Sequence, residues 1–576
     1  MVSITLTCVG VAVVFALTFL YSRALPKPLP GIPYNRESAR RILGDVPGIK
    51  NHMAQKEGGT FITYILETMK TLDAPLIQVF IRPFSRPLLI LGDFPEAHDM
   101  LVKRKEFDRS HTLGDLVLGL APDHHIHLPT GTAWKAQRRL VQDLMTPSFL
   151  HNVAGPSIHQ HVTTMVEMWV AKSEMADGRP WAAGDDINHM ALDAVTAFAF
   201  GEGFKHNATR PALDAVLHAG PAFIENVKRT SQNEPVIFPV GQVDDALQAT
   251  LDLTETVGRV QGNPVPSLTW AYVTRTPKVK RAIRIKEDYI MEELRAGVAR
   301  QEKTKSGQNL ESAVEQMIFR ETLLAEKDGR SPNPFSRAVI DETFGFVFAG
   351  HETTSTTIYW AVKYLADNPD AQAKLRDALR TSHTAAVSEN RNPTIQEITN
   401  TSTAYLDATM EEALRCAGTA PVVDRVATVD TELLGHRVPK GTVVTCLVTG
   451  PSMMTPGFEI KNSRRSLSSK AAIEDGRHRS WDAADISAFK PDRWLVAGAK
   501  GVEFDPSAGP QLAFGLGTRG CYGKRLVYLE MRIFLTLVML NFELLACPPE
   551  LSSYSSSLIT TNEPKQCFVR LRKTRQ

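Results

Sequence analysis

Phe514-Gly515-Leu516-Gly517-Thr518-Arg519-Gly520-Cys521-Tyr522-Gly523 is the most informative stretch of the chain, and an apolar helical run follows it from Lys524 to about Leu540. Glycines at 515, 517, 520 and 523 lack a Cβ, so the backbone can approach a flat partner closely there. A cysteine at a helix start lies in the field of the positive helix end, which favours the thiolate. A free thiol has a pKa of ~8.5, so a permanent thiolate at neutral pH calls for a metal in addition to that dipole. Arg519 adds a positive charge for an acidic group nearby. Two other readings fit the same letters. Gly515-x-Gly517-x-x-Gly520 matches the dinucleotide fingerprint, with Glu543 downstream, although the preceding Pro506-Ser507-Ala508-Gly509-Pro510 does not read as the buried strand that fingerprint needs. The other is a purely structural glycine turn around a core cysteine.

A second informative segment, Phe344 to Thr357, lies inside a long apolar helix expected from about Ser336 to Ala366, with Ala349-Gly350-His351-Glu352-Thr353-Thr354 at its centre. Glycine costs about 1 kcal/mol in a helix interior, and threonine is a weak helix former. Small residues beside an acid and a hydroxyl therefore suggest a local opening, where Thr353 bonds backbone or water. Phe344, Phe346, Val347 and Phe348 argue for burial, and a buried acid needs a task or a partner. Three further segments say little alone. Glu412-Ala413-Leu414-Arg415 is an i,i+3 pair that in isolation reads as a surface ion pair. Phe489-Lys490-Pro491-Asp492-Arg493-Trp494 is uninformative, and Trp134-Lys135-Ala136-Gln137-Arg138 sets an indole and a guanidinium one turn apart.

In their order and spacing these five segments resemble the cytochrome P-450 family over nearly the whole chain after the N-terminal apolar stretch. The cysteine segment fits the Phe-x-x-Gly-x-Arg-x-Cys-x-Gly pattern at Phe514, Gly517, Arg519, Cys521 and Gly523. The central helix fits small-Gly-x-acid-Thr at Ala349, Gly350, Glu352 and Thr353. Glu412 and Arg415 fit the Glu-x-x-Arg pair, Arg493 the arginine that joins it, and Trp134 and Arg138 the Trp-x-x-x-Arg pattern. Arg425 sits more loosely where the family often has a propionate-binding arginine.

The resemblance implies a mainly α fold with a minor β-sheet, and a haem b whose iron is held by the Cys521 thiolate, which pushes electron density toward cleaving dioxygen. Phe514, Gly517 and Gly523 would bed the cofactor. Arg519, Arg138 and Trp134, with Arg425, would bind its propionates. Glu352 and Thr353 would pass protons and water to the reacting dioxygen, and Glu412, Arg415 and Arg493 would form a buried network under the cysteine loop. Electrons are expected from a membrane-bound, NADPH-dependent flavoprotein reductase. Segments near Leu113 to Thr130, Phe204 to Val240 and Gly418 to Val423 would face a lipophilic small molecule, and the style resembles fungal specialised metabolism acting on terpenoid, polyketide or alkaloid skeletons. Within the family a non-oxygenating isomerase or dehydratase competes; from another class, a haem sensor or electron carrier without substrate.

Composition is compatible with this. The 576 residues are 43% hydrophobic and 22% charged, enough for a large core, and the net charge of +2 suggests no nucleic-acid partner. Cys8, Cys416, Cys446, Cys521, Cys547 and Cys567 form no close pairs, which argues against a disulfide framework or zinc site and fits a reducing compartment. The apolar run Ile4 to Tyr21 would span roughly 27 Å as a helix, close to the ~30 Å of a bilayer core. A cleaved signal peptide is the bland alternative, but Arg23 intrudes where small residues belong. Arg23, Lys27, Arg36, Arg40 and Arg41 follow the run, so the positive-inside bias puts the body on the cytosolic side of the endoplasmic reticulum, out of reach of glycosylation at Asn207 and Asn400. The expected organisation is an anchor at 1–22, a proline-rich spacer at 23–42, and a haem-binding monooxygenase domain at 43–576. Strand-like runs occur at Leu76 to Ile81, Pro87 to Gly92 and Gly435 to Val448. Gly457 to Ser480, rich in Lys, Arg, Ser and Gly, reads as a mobile surface insertion longer than the family usually has.

Overall fold

Leu76–Val79 and Leu88–Leu91 pair antiparallel, and alternation sends their side chains to opposite faces of one sheet. Leu76, Leu89 and Leu91 join Val444 and Cys446 in a core on one face, while Ile77, Val79 and Ile90 meet Ile65 and Met69 of the Phe61–Leu72 helix on the other. The five-stranded order is Leu76–Val79, Leu88–Leu91, Val443–Leu447, Val422–Ala427, Phe107–Asp108. Gln78, buried in this sheet, bonds the main chain of Leu29 in both directions and the carbonyl of Ile32. Part of the proline-rich stretch is thereby fastened to the body instead of standing clear as a spacer. The expected strand at 435–448 is two. His436–Val438 turns back on Thr431–Leu433, and Gly441, at φ +82°, separates it from Val443–Leu447.

The computed structural model describes residues 2–201, 203–261, 263, 265–304, 310–499 and 501–574. Its contacts divide it into two compact units, Met1–Ser110 with Pro421–Ile486 and Pro510–Arg519, and His111–Ala420 with Ser487–Gly509 and Gly520–Gln576. The sheet above belongs to the first. So does the stretch expected to be a mobile insertion, and here the expectation is corrected. Arg465 makes two parallel bonds to Asp93, at 2.6 and 2.9 Å, with both side chains buried. Ser466 caps a helix at Leu467–Glu474 and donates to Asp99 at 2.7 Å. His478 packs edge-on against Phe94 and His98. Composition alone reports a polar surface segment; the acids that dock it lie far away in the chain, Asp93 capping the Phe94–Val102 helix and Asp99 on it.

The second unit is built on the Arg337–Asp367 helix, capped by Ser336. It crosses the Gly184–Phe200 helix so closely that a Cβ at Gly350 would stand 2.6 Å from Val195 Cγ2. Gly350 thus serves helix packing. The suggested local opening is absent, since helical structure is continuous through residues 349–354. The Ala404–Ala417 and Lys524–Asn541 helices, the latter almost wholly buried, complete the core. A three-stranded sheet runs in the order Phe542–Leu545, Phe568–Lys573, Trp181–Ala182, and a hairpin joins Ser556–Leu558 to Asn562–Pro564. Among the described residues no helix is long and apolar enough to cross a membrane. The anchor reading falls partly on residues 1–7 and 9, whose side chains lie outside those described. Within the Val2–Ala24 helix, Val11, Val14, Phe15, Leu17 and Phe19 are exposed.

Candidate active site

Cys521 lies just before the Lys524–Asn541 helix, where the first turn leaves N–H groups unused by the helix. The N–H groups of Gly523 and Lys524 bond its sulfur. Burial pushes the thiol up, while these two donors and the charges of Arg138 and Lys524 pull it back down. The residue as a whole is nonetheless exposed. The other cysteines differ. Cys416 and Cys446 are buried, the latter in the sheet core with its thiol pushed up to about 12. Cys547 and Cys567 are also raised by burial, and Cys8 lies on the N-terminal helix.

Beside Cys521, the guanidinium of Arg138 stacks 3.9 Å from the Tyr522 ring and 5.8 Å from that of Trp134, both arginine and tryptophan carried by the Thr132–Val141 helix. Burial lowers the Arg138 pKa, while Tyr522, Glu342 and Cys521 act to raise it. Arg525 donates to the Met145 carbonyl at 3.0 Å, fastening the start of the Cys-side helix. Phe514 to Arg519 belong to the first unit. There Gly517 sits at φ +70°, and a Cβ on it would fall 2.2 Å from the Leu101 carbonyl oxygen, so glycine is required by the turn itself. Arg425, buried on the Val422–Ala427 strand, donates to the Asp424 carbonyl at 2.7 Å; burial, then Arg109, lowers its pKa to about 10. Arg109 donates to the Arg519 carbonyl at 3.2 Å. Arg109 had no motif to mark it; only the pairing of Phe107–Asp108 with the Val422–Ala427 strand brings it here.

On the central helix Ala349 is exposed while Val347 and His351 are buried, so an open face begins at this small residue. Thr353 Oγ1 donates to the Ala349 carbonyl at 2.8 Å. Its single hydrogen is engaged there, so what the hydroxyl offers outward is its lone pairs. Glu352 is largely buried, and burial followed by repulsion from Glu563 raises its pKa to about 7.

Glu412 is a buried carboxylate met by several donors. Arg415 donates twice, at 2.8 and 2.7 Å, Arg493 at 3.0 Å, the Trp494 indole at 2.9 Å and the Lys490 N–H at 2.7 Å. The side chains of Glu412 and Arg415 are fully buried and that of Arg493 nearly so. Arg415 and Arg493 both also reach the Ala488 carbonyl, which laces residues 488–494 onto the Ala404–Ala417 helix. The pair that reads as a surface contact in isolation is therefore internal.

Sequence reading passed over Asp341 and Glu342. Asp341 accepts the Asp123 N–H at 2.8 Å; Glu342 accepts the His125 N–H and ring nitrogen, both at 2.7 Å, and lies 3.4 Å from His124 Nε2. Lys286 donates to the Leu120 carbonyl at 3.0 Å. The 120–125 segment is thus held by its main chain. His124, His125 and Glu342 have ligand atoms within 4.8 Å of one another, a set able to hold a metal ion, but the His125 ring is already engaged with the Glu342 carboxylate.

A family model described as cytochrome P450 matches residues 67–453 and 484–568, passing over the whole insertion. The chain is 42% identical to the cytochrome P450 monooxygenase TRI13 of Fusarium sporotrichioides, over 97% of this chain and 98% of that one. It is 41% identical to the "Hps1-dma1 cluster cytochrome P450 monooxygenase cyp3.1" of Dothistroma septosporum, over 46% of this chain and 87% of the relative. Among solved structures, the cytochrome P450DA haem domain superposes with a TM-score of 0.65 at 16% identity, covering 96% of this chain and 99% of that one, a likeness of fold.

Proposed function

The chain belongs to the cytochrome P450 family and is a haem-thiolate monooxygenase of secondary metabolism, and from that premise we propose that Cys521 is the cysteine that holds its haem b. The observation that carries this is exposed Cys521, whose sulfur is bonded by two N–H groups and flanked by Arg138. Those donors fit a thiolate bound to a metal, whose positive charge would supply the stabilisation that burial withholds. Phe514, Gly517 and Gly523 are proposed to bed the porphyrin, and Arg519, Arg425, Trp134 and Arg138 to serve its propionates. Arg109, through the Arg519 carbonyl, supports the same loop. When bound, the haem supplies dioxygen binding and reductive activation.

The remaining work falls to the protein. Glu352, with a pKa of about 7, holds a proton in an appreciable fraction of molecules at neutral pH and can release it, the condition for efficient acid catalysis. Thr353, its hydrogen tied to Ala349, accepts a hydrogen bond from a water or from the reacting group and fixes its place. Retention of both residues favours oxygen activation over isomerase or dehydratase chemistry. Thr353→Ala is therefore expected to keep haem binding and the substrate-induced spectral shift, while product per NADPH falls by at least about ten-fold and hydrogen peroxide or water takes up the electrons; a positioned group is typically worth ~10²–10⁴-fold. Equal product per NADPH in variant and parent would remove Thr353 from the mechanism.

The family takes electrons from a redox partner and consumes substrate and dioxygen. The partner proposed here is an NADPH-dependent flavoprotein reductase on the same membrane, and the substrate a lipophilic terpenoid, polyketide or alkaloid. Residues 1–22 are proposed as a single-pass endoplasmic reticulum anchor, 23–42 as the connection, and 43–576 as the catalytic domain on the cytosolic side. The exposed apolar side chains from Val11 to Tyr21 support that reading. Deleting residues 1–22 should release the protein from membranes and leave the carbon monoxide band of reduced haem intact. Loss of haem binding on that deletion would make the segment part of the fold.

A further inference from the structure

We infer that Thr561 is a positioning residue for proton delivery, holding the Glu352 carboxyl in place through a hydroxyl chain from Thr356. This rests on the proton-delivery role of Glu352 proposed above. Thr561 lies in the turn between Ser556–Leu558 and Asn562–Pro564, more than two hundred residues after the acid it meets. Its Oγ1 is 2.8 Å from Thr356 Oγ1 and 3.4 Å from Glu352 Oε1, and both threonines are buried. If Thr356 donates to Thr561 and Thr561 to Glu352, both hydroxyl hydrogens have an acceptor and the last points at the carboxylate.

The turn that presents Thr561 is itself fastened. The next residue, Asn562, donates its N–H to the Thr419 carbonyl at 2.9 Å and its side-chain amide to the Ala417 carbonyl at 2.9 Å, and accepts the Trp360 indole at 2.7 Å. Thr419 in turn meets Thr357 of the central helix through a 2.8 Å hydroxyl contact. The hydroxyl is therefore fixed before any reaction begins, and its bond to Glu352 needs no reorganisation.

The titratable groups that face Glu352 are Glu563, His351 and Tyr359, whose phenol is buried, pushed well up and so neutral, and none of them does this work. Glu563, from the same hairpin, repels the charged form. His351, on the same helix, has Nε2 3.9 Å away, and burial lowers its pKa to about 4, so it is neutral near pH 7. Burial and Glu563 push the proton onto Glu352, and Thr561 opposes them. The balance keeps a buried acid able both to hold and to give up its proton near neutrality.

The sign of the pH effect follows. Glu352 is mostly protonated below about 7 and mostly charged above it. Removing the Thr561 hydroxyl disfavours the charged form, so the alkaline limb of product per NADPH should move to higher pH. The test uses full-length protein with its reductase and a substrate that gives a spectral shift, reading product and hydrogen peroxide per NADPH on both sides of neutrality. Thr561→Val should keep the carbon monoxide band, lower product per NADPH by about three- to ten-fold on the acid side of the limb, where Glu352 is protonated in both proteins and only its positioning differs, the worth of one hydrogen bond, and shift the limb upward. Thr561→Ser should restore both.

A Thr561→Val protein with parental coupling and an unmoved limb, beside an uncoupled Glu352→Gln, would overturn the inference and leave the role of Glu352 standing. A coupled Glu352→Gln would overturn that role and this inference with it. Lower coupling with an unmoved limb would make Thr561 merely structural and also overturn it. If Thr561→Val yields no haem-loaded protein, Thr356→Val reads the same chain from its far end. Its limb should shift the same way by less, and an unmoved limb there counts against the chain.

Discussion

Glu412→Ala is expected to leave almost no haem-loaded protein, a larger loss than Arg415→Ala. The carboxylate is the hub on which Arg415, Arg493, the Trp494 indole and the Lys490 N–H converge. Truncating Glu412 removes the one carboxylate shared by two buried guanidinium groups and an indole. Arg415→Ala removes two of the hydrogen bonds and leaves the carboxylate with Arg493, Trp494 and Lys490. Breaking a buried pair costs about 3–5 kcal/mol, a large share of a total stability of about 5–15 kcal/mol. Because the same hub holds residues 488–494 onto the Ala404–Ala417 helix, the loss should appear in folding and haem uptake together. Haem content per protein and the thermal midpoint measure both. Parental values in Glu412→Ala would show that the network does not support the haem-binding fold, and a worse outcome for Arg415→Ala would contradict the hub geometry.

The strongest local patterns were legible without a structure. The central helix was expected from about Ser336 to Ala366 and runs Arg337–Asp367; the one after Cys521 was expected to end near Leu540 and ends at Asn541. Both are long and strongly apolar, so periodicity decides them. What stayed hidden depends on partners distant in the chain. Gly350 reads as a helix weakener until Val195 lies against it. The polar run 457–480 reads as mobile until Arg465 finds Asp93. Glu412 and Arg415 look like a surface pair on their own spacing, and only the family resemblance pointed to the buried network that Trp494 and Arg493 close. Thr561, Glu342 and Arg109 carry no motif, because a lone threonine, acid or arginine gains meaning only from what the fold sets beside it. The stabilisation of a Cys521 thiolate was half legible in the sequence. The helix-start donors of Gly523 and Lys524 are there, but burial outweighs them and the thiol is raised, which puts more weight on the metal.

Cys521→Ser has the second large expected effect, and it bears on everything above. Serine keeps the size and the hydrogen-bonding environment of the side chain but offers an alcohol far too weakly acidic to stand in for a thiolate. Cys416 and Cys446 are buried, and burial raises the thiols of Cys547 and Cys567, so none of these is presented as Cys521 is. The direct measurement is the carbon monoxide difference spectrum of the reduced protein, recorded for the parent and for Cys521→Ser at equal haem content. The parent should show the red-shifted band that thiolate ligation gives to haem, and Cys521→Ser should lack it entirely. A parent without that band, or a Cys521→Ser protein that keeps it, would contradict the assignment of Cys521 as the iron ligand.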